Sequence, residues 1–432
     1  MPSWSRLGVT SHARRQPRRG RSRKPELELL EDRTVPSPLV AGTTSLHTTE
    51  GSLYGTVLTK FTDGNTADTT ANFTATISWG DGNSSSGTVS GSGGQFTVSG
   101  QHAYAEEGNY PLSVLIAADN GDSVTAGAPP VWTPFAATLP TPREGLGAAT
   151  GADGRVYAIG GYNLDAGGYL AEVDAYDPVT QTWTAVAPLP DTRGYLAATS
   201  GTDGTVYAVA GHYAFGRATY STNEFDAYNP ATNGWTQLAG LPAAREGLAA
   251  TTGADGTIYA IGGAVYGMGP AGYSAEVDAY NPATNTWTVL PPLPTARYLL
   301  AAAAGADGTI YAIGGVTASG LSDEVDAYDP ATQTWTQVQS LPSARGYLAA
   351  TAGTDGNIYA IGGVDAVNGV SGEVDVYNPS RGIWTPLASS LPTKRLLPAA
   401  TTGSDGTIYA LSGFSARGWT TEVDTYLPPA TG

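Results

Sequence analysis

Apolar and polar residues alternate in short runs along most of the chain, as in "FTATIS", "QFTVS" and "PLSVLIA". A period of two sends every second side chain to one face of an extended strand. No apolar face at helical spacing persists for three turns. The runs are rich in Val, Thr and Tyr and are bounded by Asp-Gly, Asn-Pro and Gly-Gly. These dipeptides mark tight turns, so the pattern predicts an all-β protein of many short strands. At 432 residues the chain is too long for one ordinary core, and two or more units are expected.

The strand pattern also returns on a long period. Arg143, Arg193, Arg245, Arg297, Arg345 and Arg395 each follow Leu-Pro and two further residues, at spacings of 50, 52, 52, 48 and 50. After each Arg comes a small apolar strand, then Asp-Gly, then a strand such as "TIYAIGG", a variable loop, "EVDAYDP" or a variant, and "ATxxW". Four strands every 50 residues or so resemble the kelch repeat, which builds β-propellers. The pairs Gly160-Gly161, Gly262-Gly263, Gly314-Gly315 and Gly362-Gly363 carry the resemblance most specifically. The second and sixth copies have Ala210-Gly211 and Ser412-Gly413 instead, and their turns are expected to differ slightly. One Trp per copy (Trp183, Trp235, Trp287, Trp335, Trp384) is expected to fill the space between neighbouring blades.

The sixth copy stops after three strands, whereas "PPVWTP", with Trp132, stands before the first copy. Pairing a strand at 131–136 with the last one completes the sixth blade and removes an open edge. The resemblance therefore implies a six-bladed kelch β-propeller over 130–428.

Ahead of it, 44–128 carries Trp79-Gly80-Asp81-Gly82 and then His102, Tyr104, Gly108 and Tyr110. These landmarks resemble the PKD domain, an immunoglobulin-like β-sandwich, and imply core and corner roles for Trp79 and Tyr104. Such domains serve mostly as spacers or protein–protein modules on exported proteins. Residues 1–38 form a basic, apolar-poor leader, predicted to be disordered. Its "LELLEDRTVPS" resembles a leader of large bacterial surface proteins, so an extracellular or cell-surface setting is expected. It lacks the apolar stretch of a secretory signal, and the export route is not evident. No run of the sequence reaches the ~20 apolar residues of a membrane helix.

Composition narrows the chemistry. There is no cysteine, hence no disulfide, thiolate ligand or thiol nucleophile. Residues 36–432 carry twelve Lys/Arg against thirty-four Asp/Glu, so nucleic-acid binding by the folded part is not expected. His212 is the propeller's one histidine, which argues against metal sites built on clustered His or Cys and against the copper centre of kelch-type galactose oxidases. No cofactor is expected.

The six arginines map to the rim of the channel, on the face carrying the variable loops. An exposed ring of guanidinium groups would bind carboxylate or phosphate. The competing reading pairs each with the equally regular Glu172, Glu224, Glu276, Glu324, Glu373 or Glu422. The loops of blades 6, 1, 2 and 3 are aromatic, with Phe414, Trp419, Tyr162, Tyr169, Tyr213, Phe215, Tyr220, Tyr266 and Tyr273, and form one arc. Tyr162, Tyr213, Phe215 and Trp419, with the arginines, are the candidate contacts for a glycan or protein ligand. Tyr169, Tyr273 and Trp419 equally suit a role in covering the blade edge.

Glu144 and Glu246 follow Arg143 and Arg245, where other copies have Gly or hydrophobic residues. They are the catalytic candidates, as acid and base, or else solvated rim charges. A bacterial kelch family catalyses sialic-acid mutarotation with an acidic residue near Arg. The expected function is binding of glycan or protein. A carbohydrate-active enzyme of mutarotase or epimerase type is one alternative, and a purely architectural surface protein the other.

Overall fold

The computed structural model describes residues 40–41, 46–48, 53–63, 66, 68–79, 83–103, 108–110, 112–119, 123–127, 131–215 and 218–428. The leader, Gly80–Gly82, Tyr104 and the segment 128–130 lie outside them. The alternation shows directly in the burial of Phe73–Ser78, where every second side chain is buried.

Two four-stranded antiparallel sheets and a two-stranded one, Leu46–Thr48 with Gly108–Tyr110, form the first unit. One four-stranded sheet runs in the order Val40–Ala41, Leu53–Thr62, Gln95–Ala103, Thr88–Ser92, and the other Ser123–Gly127, Ser113–Ala118, Phe73–Ser78, Ser84–Ser86. Their inner faces share one core around Phe61, Phe73, Phe96, Val98, Val114 and Ile116. The three Phe rings meet with centroids 4.7–5.2 Å apart. Trp79 is fully buried in this core, stacks on His102 at 5.0 Å and donates from Nε1 to Ser85 Oγ at 2.9 Å. Burying the indole with its N–H satisfied is what a core role requires.

The second unit holds six four-stranded sheets, numbered 1 to 6 below. Sheet 1 comprises Gly147–Thr150, Val156–Ile159, Val173–Asp177 and Thr182–Ala185, in chain order. Sheets 2 to 5 repeat it, with first strands Ala197–Ser200, Ala249–Thr252, Ala301–Ala304 and Ala349–Ala352. Each first strand touches the next, and Gly147–Thr150 touches both Ala197–Ser200 and Ala399–Thr402, so the innermost strands close a ring. Those strands are nearly all Ala, Gly and Thr, because six of them crowd one axis.

Sheet 6 consists of Ala399–Thr402, Ile408–Leu411, Val423–Tyr426 and, as its outermost strand, Thr133–Pro134. Thr133 lies opposite Thr425 and Pro134 opposite Asp424. Phe135 N and Leu139 N donate to the carbonyls of Val423 (2.7 Å) and Thr421 (2.9 Å). Trp132 is buried, stacks on Tyr426 at 5.4 Å and packs with Tyr359 and Leu391 of the sheet 5 side.

The apolar cores lie between sheets rather than within them. At five of the six interfaces one indole bridges the sheets: Trp183, Trp235, Trp287, Trp335 and Trp384 donate from Nε1 to the carbonyls of Ala137, Ala187, Ala239, Pro291 and Gln339 at 2.7–3.0 Å. Ala210 (φ 52°) and Ser412 (φ 53°) adopt the left-handed backbone of the first glycine at the other copies (58–64°). The turns in sheets 2 and 6 therefore do not differ at this residue; the surrounding sheet holds the conformation without a glycine.

Candidate functional site

The six arginines are buried to within 1% of full coverage, so none is presented to the channel as a free anion site. This corrects the expectation of an Arg-ringed mouth. The physical cause is an unremarked residue of the repeat: the Asp two positions after each Glu. Arg143 pairs with Asp174 at 2.8 Å and Arg395 with Asp424 at 2.7 Å. Arg193, Arg245, Arg297 and Arg345 pair in the same way with Asp226, Asp278, Asp326 and Asp375.

The Glu is a second partner. Its carboxylate lies 3.1–3.7 Å from Arg143, Arg193, Arg245 and Arg395. In sheets 4 and 5 the Glu324 and Glu373 backbone carbonyls accept from Arg297 and Arg345 at 2.8 and 3.0 Å. Burial pushes the Asp carboxyls up, to about 6 for Asp174, Asp278 and Asp326, against the pull of the paired Arg.

Above this layer the chain makes a rim. The residue after each Arg pairs with the residue after the glycine pair: Glu144 with Tyr162, Gly194 with His212, Glu246 with Ala264, Tyr298 with Val316. The next residue is left-handed in every copy, at Gly145, Tyr195, Gly247, Leu299, Tyr347 and Leu397 (φ 51–59°). Backbone hydrogen bonds of 2.7–2.9 Å run Tyr195→Gly145, Gly247→Tyr195, Leu299→Gly247, Tyr347→Leu299 and Leu397→Tyr347. The rim is thus a stiff hoop around the axis, and it frames a central opening of about 90 Å³.

Both predicted carboxylates stand on this hoop. Glu144 is half-buried, with the Tyr195 hydroxyl donating to Oε1 at 3.3 Å. Burial raises its carboxyl, while the hydrogen bond from Tyr195 opposes the rise. Glu246 is 6% exposed, and its Oε2 lies 2.5 Å from Nδ1 of His212, itself 3% exposed. The imidazole sits between Tyr266 (centroid 4.2 Å) and Tyr169 (4.8 Å), with the Tyr169 hydroxyl 3.3 Å from Nδ1. Its Nε2 has no hydrogen-bond partner. Burial pushes the phenols of Tyr169, Tyr195 and Tyr298 well up, so all three remain O–H donors. Each carboxylate is thus engaged by a neighbour, Glu144 by Tyr195 and Glu246 by His212, rather than standing as a solvated rim charge. Among the described residues no group of three His, Asp or Glu is placed to hold a metal.

Of the aromatic candidates, Tyr162 and Trp419 are half-buried and lie 6.5 Å apart across the sheet 6–sheet 1 seam. Tyr213 is half-buried and pairs across the sheet 2 hairpin with Tyr220, which is 47% exposed. The Phe215 side chain lies outside what the structure describes. Tyr169 packs on His212 and Tyr273 stacks on Tyr298 at 5.4 Å, so this position covers the neighbouring sheet. Tyr266, 47% exposed, is the most open of the rings packed on His212.

The Asp ring, Tyr195, Tyr298 and the part played by His212 escaped the sequence reading. Each Asp was visible in "EVDAYD". His212 was legible only by aligning copies, which sets it opposite Gly194, the one small residue between Glu144 and Glu246.

Similarity to known proteins follows the same geometry. The KLHDC2/KLHL20/DRC7 Kelch-repeats domain matches residues 239–413, and the Kelch motif matches 147–190. The chain carries kelch repeats. The structure of YjhT superposes with a TM-score of 0.55 at 18% identity, covering 67% of this chain and 95% of that one, which places the kelch region among β-propellers. Kelch-like protein terF of Aspergillus terreus is 32% identical over 29% of this chain and 28% of its own length. Kelch-like ECH-associated protein 1A of Danio rerio is 34% identical over 24% of this chain and 17% of its own. Kelch-like protein 25 of Xenopus tropicalis is 28% identical over 42% and 30%. The chain thus spans less than a third of each of these curated relatives.

Proposed function

We propose that this chain is a binding protein whose kelch propeller, built of six blades and clasped by its first strand, docks a protein partner on the rim face. One observation carries the reading: exposed Tyr220 and Tyr266 and half-buried Tyr162, Tyr213 and Trp419 gather on sheets 6, 1, 2 and 3, beside a stiff hoop. Rigid aromatic rings give contact area at little entropic cost and dominate protein interfaces. A Kelch-like ECH-associated protein among the relatives, associated by its name with another protein, supports the same class of function. The sandwich, read as a PKD-like module, would hold the propeller away from a cell surface.

Selection of displayed peptides on the full chain tests this, with a glycan array as the other arm. The expected result is peptide enrichment that falls about tenfold or more for Tyr266→Ala and Tyr220→Ala, both exposed and outside the core. Enrichment unchanged by both substitutions would sink the reading. Retention of glycans and not of peptides would replace the partner with a sugar.

A further inference from the structure

Between sheets 3 and 4 the rim face carries a groove of about 410 Å³. Two neighbouring copies of the repeat build it. Pro270 and Tyr273 come from the variable loop of sheet 3, Thr295 from the Leu-Pro segment entering sheet 4, and Thr317, Ala318 and Ser319 from the sheet 4 hairpin. Its volume falls within the roughly 300–1,000 Å³ of small-molecule sites.

Three observations define what fits. No charged side chain lines the groove, so neither an anion nor a cation finds a counter-charge on its walls. Tyr273 is fixed by stacking on Tyr298, with centroids 5.4 Å and planes 21° apart, and with exposed Pro270 it gives the groove a rigid apolar border. The third observation is where the hydroxyl protons go. Thr295 donates to Oε1 of Glu324 at 3.2 Å, a carboxylate left without an ion pair among the described residues because Arg297 takes Asp326 and the Glu324 carbonyl instead. The Thr317 hydroxyl reaches the Gly320 carbonyl at 3.1 Å and the Ser319 hydroxyl at 2.8 Å. With those protons spent inside the chain, the oxygens of Thr295 and Ser319 offer lone pairs outward.

We propose that this groove binds one neutral sugar residue, its hydroxyls donating to Thr295 and Ser319 and its C–H face laid on Tyr273. An uncharged wall of acceptors beside a fixed ring suits a ligand with many O–H donors and an apolar face. The inference is independent of protein docking on the aromatic rim and adds a ligand of another class. Affinity is expected in the millimolar range, because an open groove covers only part of a small ligand.

Saturation-transfer NMR on the full chain tests it with the methyl glycosides of glucose, galactose, mannose and N-acetylglucosamine. Sorbitol and N-acetylthreonine amide are the controls, offering hydroxyls or amides without a sugar ring. At least one glycoside is expected to bind, about tenfold or more tightly than either control. Ala318→Trp fills the groove and Tyr273→Ala removes its ring, and each is expected to weaken that glycoside about tenfold or more. Ala318 is exposed, so its variant keeps the test valid should Tyr273 be needed for folding. No binding by any glycoside overturns the inference. Binding that survives both variants puts the sugar elsewhere and overturns it too. A control that matches the glycosides shows a groove that does not select sugar, with the same consequence. Each of these results leaves protein docking standing, since that is read from peptide enrichment and from Tyr220 and Tyr266.

Discussion

At the residue scale, the energetics of the repeat centre on a buried ion pair. Arg297 and Asp326 are both fully covered, so removing one partner strands the other's charge. Arg297→Met is therefore expected to cost about 3–5 kcal/mol in urea unfolding, and Arg297→Met/Asp326→Leu to recover most of that loss. Equal destabilisation of the two variants would show that packing, not stranded charge, sets the cost.

Glu144 gives a second residue-scale prediction, through linkage. Its folded pKa lies above its ordinary value of 4.5. The stability it contributes is thus fully present below that ordinary value and is lost as the pH rises through the raised one. Glu144→Gln removes the titration. Its melting temperature is expected to exceed the parent's at about pH 7 and to match it at about pH 4. A difference that does not change with pH would contradict the sign.

At the element scale, what distinguishes these sheets from isolated ones is that their cores belong to the interfaces. The indole N–H bonds are the polar component of that arrangement. Trp335→Phe keeps most of the ring and loses the 2.9 Å bond to Pro291, so a cost of about 1 kcal/mol is expected from denaturant midpoints. Trp132→Ala empties a packed site shared with Tyr426, Tyr359 and Leu391, and about 3–5 kcal/mol is expected. The clasp is only a two-residue ladder plus the Phe135 and Leu139 bonds, yet it covers the outer edge of Val423–Tyr426. Without it that edge is a template for pairing with another chain.

At the scale of the whole molecule, one core is built entirely from residues 58–116 and six more from residues 132–426. Calorimetry is expected to resolve two unfolding transitions. Trp79→Ala should lower only one of them and Trp132→Ala only the other. A single transition moved by both substitutions would mean that the units unfold together. The six interface cores are linked in a closed ring, so the kelch transition itself is expected to be cooperative rather than sheet by sheet.

Much of this was legible before any coordinates. Alternation and turn dipeptides carry strand and loop positions because backbone geometry is local, and a 50-residue period announces itself by repetition. The charge layer was harder. "EVDAYD" offers two acids per copy, and spacing cannot say which lies inward. Two residues apart, Glu and Asp share one face and one Arg; the Glu stands at the exposed end just before the strand and the Asp two residues deeper, in the covered layer. The sequence by itself determined the strands, the repeat, the excess of acid and the unusual positions of Glu144 and Glu246. Tertiary structure alone decided that the arginines are spent on their own sheets. It also brought His212 of one sheet against Glu246 of the next and Tyr169 of the one before. Burial and contacts between copies depend on closing a ring of some three hundred residues, and no local window of sequence contains that closure.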